Sequence, residues 1–156
     1  MTKEILFVRH GKAEDRTAGK SDADRELTEK GKDEFRSFVS SVKKELKTDK
    51  AVSVWTSPMK RAKQTAEILT EHMEWSVAKE KEFIVKGDFK VLMEEVKAME
   101  PNTRIVCVGH KPIQGTWVKE LTGIPYAFKK GGIALIRLNE NDLNKGKLIW
   151  KGNPAS

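Results

Sequence analysis

The feature that most constrains the fold is a run of four apolar residues, 5–8, that is followed at once by Arg9, His10 and Gly11. A run of this kind, without polar alternation, predicts a strand that is buried on both faces, as the strands of parallel sheets are. In open α/β sheets, ligands bind beyond the carboxyl ends of such strands. We therefore expect Arg9 and His10 to lie at a ligand-binding edge, where Gly11 allows the backbone to approach a bound group closely.

Apolar residues that recur at three- and four-residue steps predict four amphipathic helices. These helices begin near Thr28, Ser57, Asp88 and Pro112, and the first runs to Leu46. Thr28 and Asp88 suit the N-cap position, whereas Ser57 and Pro58 suit an N-cap followed by the first helical residue. Residues 74–87 lose the helical period and are interpreted as a connection that could contain a short strand.

The strands and helices alternate along the chain. Two further apolar runs, 51–56 and 104–108, predict buried strands, and each is followed by a polar turn and a helix. Residues 133–138 and 147–150 predict a closing antiparallel pair. This alternation over 156 residues predicts a single domain, residues 1–156, built as a three-layer α/β/α sandwich with a mostly parallel central sheet.

Three predicted strand ends carry the residues best suited to chemistry, namely Arg9 with His10, then Arg61, then His110. Because the carboxyl ends of parallel strands meet at one edge of a sheet, we expect these side chains to converge. Arginine forks match a phosphate or a carboxylate, and histidine changes its protonation near neutral pH. An unprotonated imidazole can attack phosphorus while cations stabilise the equatorial oxygens, so this set indicates phosphoryl transfer through a covalent histidine intermediate without a metal.

Three motifs mark these strand ends: Arg9-His10-Gly11, then Thr56-Ser57-Pro58 with Arg61-Ala62 and Gln64-Thr65-Ala66, then Gly109-His110 with Pro112. In this order, and at strand-to-helix junctions, the motifs resemble those of the histidine phosphatase superfamily, also called phosphoglycerate-mutase-like. The short chain and Arg25-Glu26-Leu27-Thr28 ahead of Gly31 are similar to the SixA-like branch, which contains small phosphatases that act on phosphohistidine in proteins.

The resemblance implies a role for each matching residue. His10 would be the nucleophile that becomes transiently phosphorylated. Arg9, Arg61 and His110 would form the phosphate pocket with it, and Gly11 would belong to the substrate-binding residues. The resemblance implies no cofactor and no metal.

The proton donor is a separate question. Larger members of the family use an acidic residue between the second and third motifs, and Glu82 is the best-placed candidate in this chain. The alternative is that Glu82 is an ordinary surface carboxylate and that Asp88 simply caps its helix. A phosphoramidate substrate needs a strong acid less, because a leaving imidazole is easily protonated.

These observations predict a metal-independent phosphatase that acts through a phosphohistidine on His10, with protein phosphohistidine as its substrate. Two alternatives stay open: a phosphatase of small phosphate monoesters, and a non-catalytic module that binds phosphate or docks acidic partners. The loop of residues 12–25 carries Lys and Arg near the predicted pocket, where it could contact a substrate protein. The shortness of the chain leaves little material for a specificity cap, which favours a macromolecular substrate.

The remaining features argue against other classes of protein. The net charge of +7 favours anionic partners, but neither a nucleic-acid motif nor a cluster with metal-ligand spacing accompanies it. Cys107, the only cysteine, is expected to be a buried structural thiol, and His72 a cation near a helix C-terminus. No apolar stretch is long enough to cross a bilayer. A cytoplasmic monomer is the default expectation.

Overall fold

The computed structural model describes residues 2–16 and 19–155 of the chain. Six strands of this part form one sheet in the order β3-β2-β4-β1-β5-β6. They are β1 (Glu4–Arg9), β2 (Ala51–Thr56), β3 (Lys79–Glu80), β4 (Thr103–Gly109), β5 (Ile133–Asn139) and β6 (Asp142–Gly152). The first four strands run parallel to one another, and β5 and β6 are antiparallel additions beside β1. The mostly parallel sheet and the closing antiparallel pair are thereby confirmed.

Helices cover both faces of the sheet. They are α1 (Glu29–Ser41), α2 (Lys43–Leu46), α3 (Lys60–Met73), α4 (Glu82–Lys86), α5 (Phe89–Ala98) and α6 (Ile113–Thr122). Two predicted N-caps are confirmed, because the side chain of Thr28 accepts the Gly31 N–H and that of Asp88 accepts the Val91 N–H. None of the helices in residues 2–16 and 19–155 combines the length and hydropathy that crossing a membrane requires.

Strand β1 is packed on both faces, which explains why its sequence lacks polar alternation. Ile5 and Phe7 pack into one hydrophobic cluster with α4, α5 and α6, whereas Leu6 and Val8 pack into a second with α1, α2 and α3. All four side chains have 0% exposure. A strand that is covered on both faces places an apolar side chain at every position, as the run predicts. The three-layer α/β/α architecture is confirmed.

Two helix boundaries differ from the prediction, and the predicted connection contains a helix. The apolar stripe that predicts one helix through Leu46 is interrupted at Val42, whose φ of −111° and ψ of 14° leave the helical region, so α1 and α2 are separate helices. Helix α3 begins after Met59 rather than after Ser57. The reason is that the Ser57 hydroxyl accepts the Met59 N–H at 3.1 Å, which closes a turn ahead of the helix. The connection over residues 74–87 contains β3 and α4.

Candidate active site

The carboxyl ends of β1 and β4 bring the two predicted histidines together. The backbone N–H of His10 donates to the carbonyl of Gly109 at 3.0 Å, so β1 and β4 remain paired up to the two histidines at the sheet edge. The His10 and His110 rings lie 5.3 Å apart between centroids and are tilted by 59°. This juxtaposition follows from the parallel register of Arg9 against Gly109.

The orientation of the His10 ring leaves one nitrogen free for chemistry. Its Nδ1 lies 2.7 Å from the carbonyl oxygen of Gly11. Since a carbonyl only accepts, Nδ1 carries the proton and the lone pair is on Nε2. Burial lowers the pKa of His10 to about 3; the contact with Gly11 opposes that shift, and neighbouring positive groups add to it. The imidazole is therefore neutral at physiological pH, which is the form that a nucleophile requires.

The ring of His110 is oriented by a contact with Ser57. Its Nε2 lies 2.7 Å from the hydroxyl of Ser57, and its Nδ1 is buried without a hydrogen-bond partner. Burial lowers the pKa of His110 to about 4, and the charge of Arg61 contributes to the shift. Ser57, predicted as a helix cap, thus orients the second histidine as well as the turn before α3. The Ser57-Pro58 motif singled out Ser57 in the sequence. It did not indicate the contact with His110, which lies 53 positions further along the chain.

The two predicted arginines are anchored so that part of each guanidinium stays unsatisfied. Nη1 of Arg9 donates to the carbonyl of Phe128 at 2.9 Å. Nη1 of Arg61 donates to the carbonyl of Asp22 at 2.7 Å, and its Nη2 lies 3.3 Å from the Asp22 carboxylate. The Nε atoms of Arg9 and Arg61 are both buried without a partner. An unsatisfied buried donor costs about 1–3 kcal/mol, so a bound anion that accepts from these groups would be stabilised strongly.

Asp22 is a contributor that sequence analysis did not identify. Its carboxylate accepts from Nε of Arg25 at 3.0 Å and pairs with Nη2 of Arg25 at 2.9 Å, while Nη1 of Arg25 donates to the carbonyl of Glu14 at 2.7 Å. Burial raises the pKa of Asp22, but the charges of Arg61 and Arg25 outweigh it and hold that pKa below its usual value. The 12–25 loop is therefore bound to Arg61 by the ionised carboxylate of Asp22. The spacing of Asp22 three residues before Arg25 was the only sequence signal.

Thr65 links the segment that follows β1 to α3. Its hydroxyl accepts the Gly11 N–H at 3.1 Å and donates to the carbonyl of Arg61 at 2.8 Å. Thr65 has 0% exposure, so the two bonds are protected from water. A Cβ at Gly11 would meet the Gly31 carbonyl at 3.6 Å, an ordinary contact. Packing within the described chain therefore does not by itself demand glycine there, and the close approach of a substrate to Gly11 stays a prediction.

Glu82 follows the short strand β3 at the same edge of the sheet. It begins α4, which is placed there by the Lys81 N–H donating to the Thr56 carbonyl at 2.9 Å. In residues 2–16 and 19–155, the exposed Glu82 carboxylate makes no hydrogen bond or ion pair. Its role as a proton donor stays a prediction. The same part of the chain contains no group of three or more His, Cys, Asp or Glu side chains arranged to hold a metal ion.

The depressed histidine pKa values predict how stability depends on pH. His10 and His110 have folded-state pKa values of about 3 and about 4 against an ordinary 6.5, so the unfolded chain takes up protons first as the pH falls. The part of the unfolding free energy that depends on these neutral histidines is therefore fully present above about pH 6.5. It is lost progressively as the pH falls below that value. We expect His10→Asn to reduce the loss of unfolding free energy between about pH 7 and pH 4.5, measured by urea denaturation. Identical pH dependence in the variant and the parent would contradict this assignment.

Comparison with known proteins agrees with the geometry. The chain matches the family model for the histidine phosphatase superfamily (branch 1) over residues 5–84. It is 33% identical over 142 residues to an uncharacterised protein of Picosynechococcus sp. strain PCC 7002, covering 86% of this chain and 84% of that protein. Its structure is similar to that of the protein histidine phosphatase SixA complexed with tungstate, with a TM-score of 0.84, 28% identity and 97% of each chain covered. A mycobacterial glucosyl-3-phosphoglycerate phosphatase shares the fold, with a TM-score of 0.73 and 13% identity over 100% of both chains.

The fold and the matches together define the class of this protein. The mostly parallel sheet with helices on both faces is the fold of phosphoglycerate-mutase-like proteins, as the structural similarities indicate. The chain belongs to the histidine phosphatase superfamily, and it is a phosphohydrolase. Within that superfamily, it resembles the SixA structure over almost its whole length.

Proposed function

We propose that this phosphatase hydrolyses phosphohistidine in proteins by way of a phosphohistidine on its own His10. The observation that carries the proposal is the neutral His10 ring, whose Nδ1 is bound to Gly11, beside three buried nitrogens without partners: Nε of Arg9, Nε of Arg61 and Nδ1 of His110. A tetrahedral oxyanion in this position would accept from the two guanidinium groups while its phosphorus faces the free Nε2 of His10.

The first step transfers the phosphoryl group. Nε2 of His10 attacks phosphorus, a nitrogen–phosphorus bond forms, and the bond from phosphorus to the substrate imidazole breaks. The leaving imidazole takes a proton from water or from Glu82, so a strong acid is not needed. Negative charge on the equatorial oxygens is stabilised by Arg9 and Arg61, which retain their positive charge and are already anchored by Phe128 and Asp22.

The second step restores the enzyme. A water molecule attacks the phosphorus of phospho-His10, the bond to Nε2 breaks, and inorganic phosphate leaves. The Gly11 carbonyl keeps the proton of His10 on Nδ1 throughout, so the ring returns to the same tautomer. Preorganised groups need no rearrangement at the moment of reaction, which is why their anchoring contributes to the rate.

The choice of substrate rests on similarity and on the surroundings of the site. The solved structure with 28% identity and 97% coverage is that of a protein histidine phosphatase. The site lies at the ends of β1 and β4, and His10 is only partly buried, so a side chain presented by another protein can reach it. Both features favour phosphohistidine in a protein over a small metabolite that would need enclosure.

A comparison of substrates tests the proposal. We expect kcat/KM for a histidine-phosphorylated protein to exceed that for sugar phosphates by about 100-fold, because a protonated phosphohistidine has a better leaving group than a sugar phosphate. Phosphate release would be measured at equal ionic strength with chemically phosphorylated protein and a sugar phosphate panel. A higher kcat/KM for any sugar phosphate would favour the small-molecule alternative, and no turnover of any substrate would favour the binding module.

A further inference from the structure

The mechanism leaves unused a set of exposed lysines beside the site, Lys111, Lys129 and Lys130, which we call the basic rim. We propose that the basic rim is a docking surface for acidic side chains that flank the phosphohistidine of the substrate protein. This inference rests on the proposed function and goes beyond it, since it specifies the surface chemistry of the preferred substrate.

The backbone places the basic rim at the edge of the pocket. Lys111 directly follows His110 in the chain. Lys129 and Lys130 lie between Phe128, whose carbonyl accepts from Nη1 of Arg9 at 2.9 Å, and the next residue, Gly131, whose N–H donates to the carbonyl of His10 at 3.0 Å. These two short segments therefore adjoin the position where a phosphohistidine would approach His10.

The basic rim differs in charge pairing from the 12–25 loop, which reaches the site through the contact of Asp22 with Arg61. In that loop, Lys20 pairs with Glu14 at 2.9 Å and with Glu26 at 3.0 Å. Asp22 pairs with the arginines of that loop and with Arg61. By contrast, the ammonium groups of the basic rim make no ion pair or hydrogen bond with any residue that the structure describes. The three ammonium groups of the basic rim are thus free to pair with carboxylates of a partner.

Apolar surface adjoins this charge. A cleft of about 260 Å³ beside Lys111 is lined by prolines and by Tyr126, with Lys119 at its margin. The ring of Tyr126 is held in place, because its hydroxyl lies 3.4 Å from Asn153 Oδ1 and Nζ of Lys151 is 5.6 Å from the ring centroid. Nearby, Ile124 is 65% exposed. Apolar surface next to unpaired cations suits a folded or extended polypeptide with acidic side chains better than a free sugar phosphate.

Charge complementarity identifies the occupant as acidic. Exposed charges interact over a Debye length of about 8–10 Å at physiological salt, so carboxylates a few residues from the phosphohistidine fall within range of the basic rim. Interactions of this kind act mainly on the association rate and are weakened by salt. The preference should therefore appear in kcat/KM at low ionic strength and decline as salt is added.

Two synthetic peptides provide the test. Each carries one central histidine, phosphorylated chemically, and the peptides differ only in having glutamate or glutamine at the four flanking positions. For the parent enzyme we expect kcat/KM to be about tenfold higher for the glutamate peptide at low salt. In the triple variant Lys111→Gln, Lys129→Gln, Lys130→Gln we expect that ratio to fall to about two, with turnover of p-nitrophenyl phosphate unchanged.

A matched control separates docking from net charge. Lys43→Gln, Lys44→Gln, Lys47→Gln removes the same charge from exposed positions around α2, which precedes β2 and so lies at the opposite end of the sheet from the pocket. The control variant should keep the parent's preference. Equal rates on both peptides, or an equal loss of preference in the control variant, would overturn the docking surface while leaving the proposed function intact. Failure to hydrolyse either peptide while p-nitrophenyl phosphate is turned over would overturn both.

Discussion

His10→Ala is expected to remove essentially all phosphatase activity, a decrease of about 10⁵-fold or more in kcat, because it deletes the atom that forms the covalent bond to phosphorus in the proposed mechanism. The neighbouring His110 is held differently, because its Nε2 is engaged by the Ser57 hydroxyl and its Nδ1 is buried. The arginine anchors at Phe128 and Asp22 do not involve the His10 ring, so the pocket itself should persist.

The measurement combines steady-state rates with trapping of the intermediate. Rapid quenching of the parent enzyme with labelled substrate should give an acid-labile, base-stable phosphoenzyme, and the variant should give none. His72→Ala is the matched control, since that histidine lies on α3 with its Nδ1 2.9 Å from the carbonyl of Ile68. The control should retain both activity and phosphoenzyme. A rate in His10→Ala within tenfold of the parent would exclude His10 as the nucleophile.

Arg61→Ala is expected to lower kcat/KM by about 10²- to 10³-fold, corresponding to about 2.7–4 kcal/mol of transition-state stabilisation. Arg61 is 6% exposed, and its Nε lacks a partner in the free protein, so its interaction with the transferring phosphoryl group occurs where water competes little. Burial lowers the pKa of Arg61, although a guanidinium remains protonated at neutral pH. Its charge is therefore available throughout the reaction.

Two companion variants make the Arg61 prediction specific. Arg61→Lys keeps a positive charge but loses the planar fork that donates to both the Asp22 carbonyl and its carboxylate, so it should recover only part of the activity. Lys63→Ala changes an exposed cation two residues further along α3 and should leave kcat/KM within about twofold. An unchanged rate in Arg61→Ala, with the far-UV circular dichroism of the parent, would place Arg61 outside the pocket.

The parts of the site that could be predicted are those that follow directly from a strand end. Arg9, His10 and His110 come at the ends of β1 and β4, which are recognisable as continuous apolar runs. Because these two strands are parallel neighbours, their carboxyl ends meet, and the histidine rings approach to 5.3 Å between centroids. The apolar runs and the parallel direction of the strands were sufficient to predict that these side chains converge.

The parts that could not be predicted depend on contacts between distant segments. Asp22 meets Arg61 across 39 positions of the chain, and the 12–25 loop has no periodic pattern that would reveal this contact. The start of α3 was also misplaced, because Ser57 and Pro58 suit the first positions of a helix, yet the Ser57 hydroxyl accepts the Met59 N–H and meets His110 at 2.7 Å. In both cases a tertiary hydrogen bond outweighed local preference.

The amino-acid sequence by itself determined the class of fold, the strand ends and the identity of the charged and titratable residues placed there. Only the tertiary structure decided how these groups act: which nitrogen of each histidine is free, which guanidinium atoms lack partners, and that Lys20 and Asp22 of the 12–25 loop are paired while the lysines of the basic rim have no partner among the described residues. The physical reason is that apolar periodicity is a local property of the chain. Desolvation and hydrogen-bond geometry arise only when distant segments exclude water from one another.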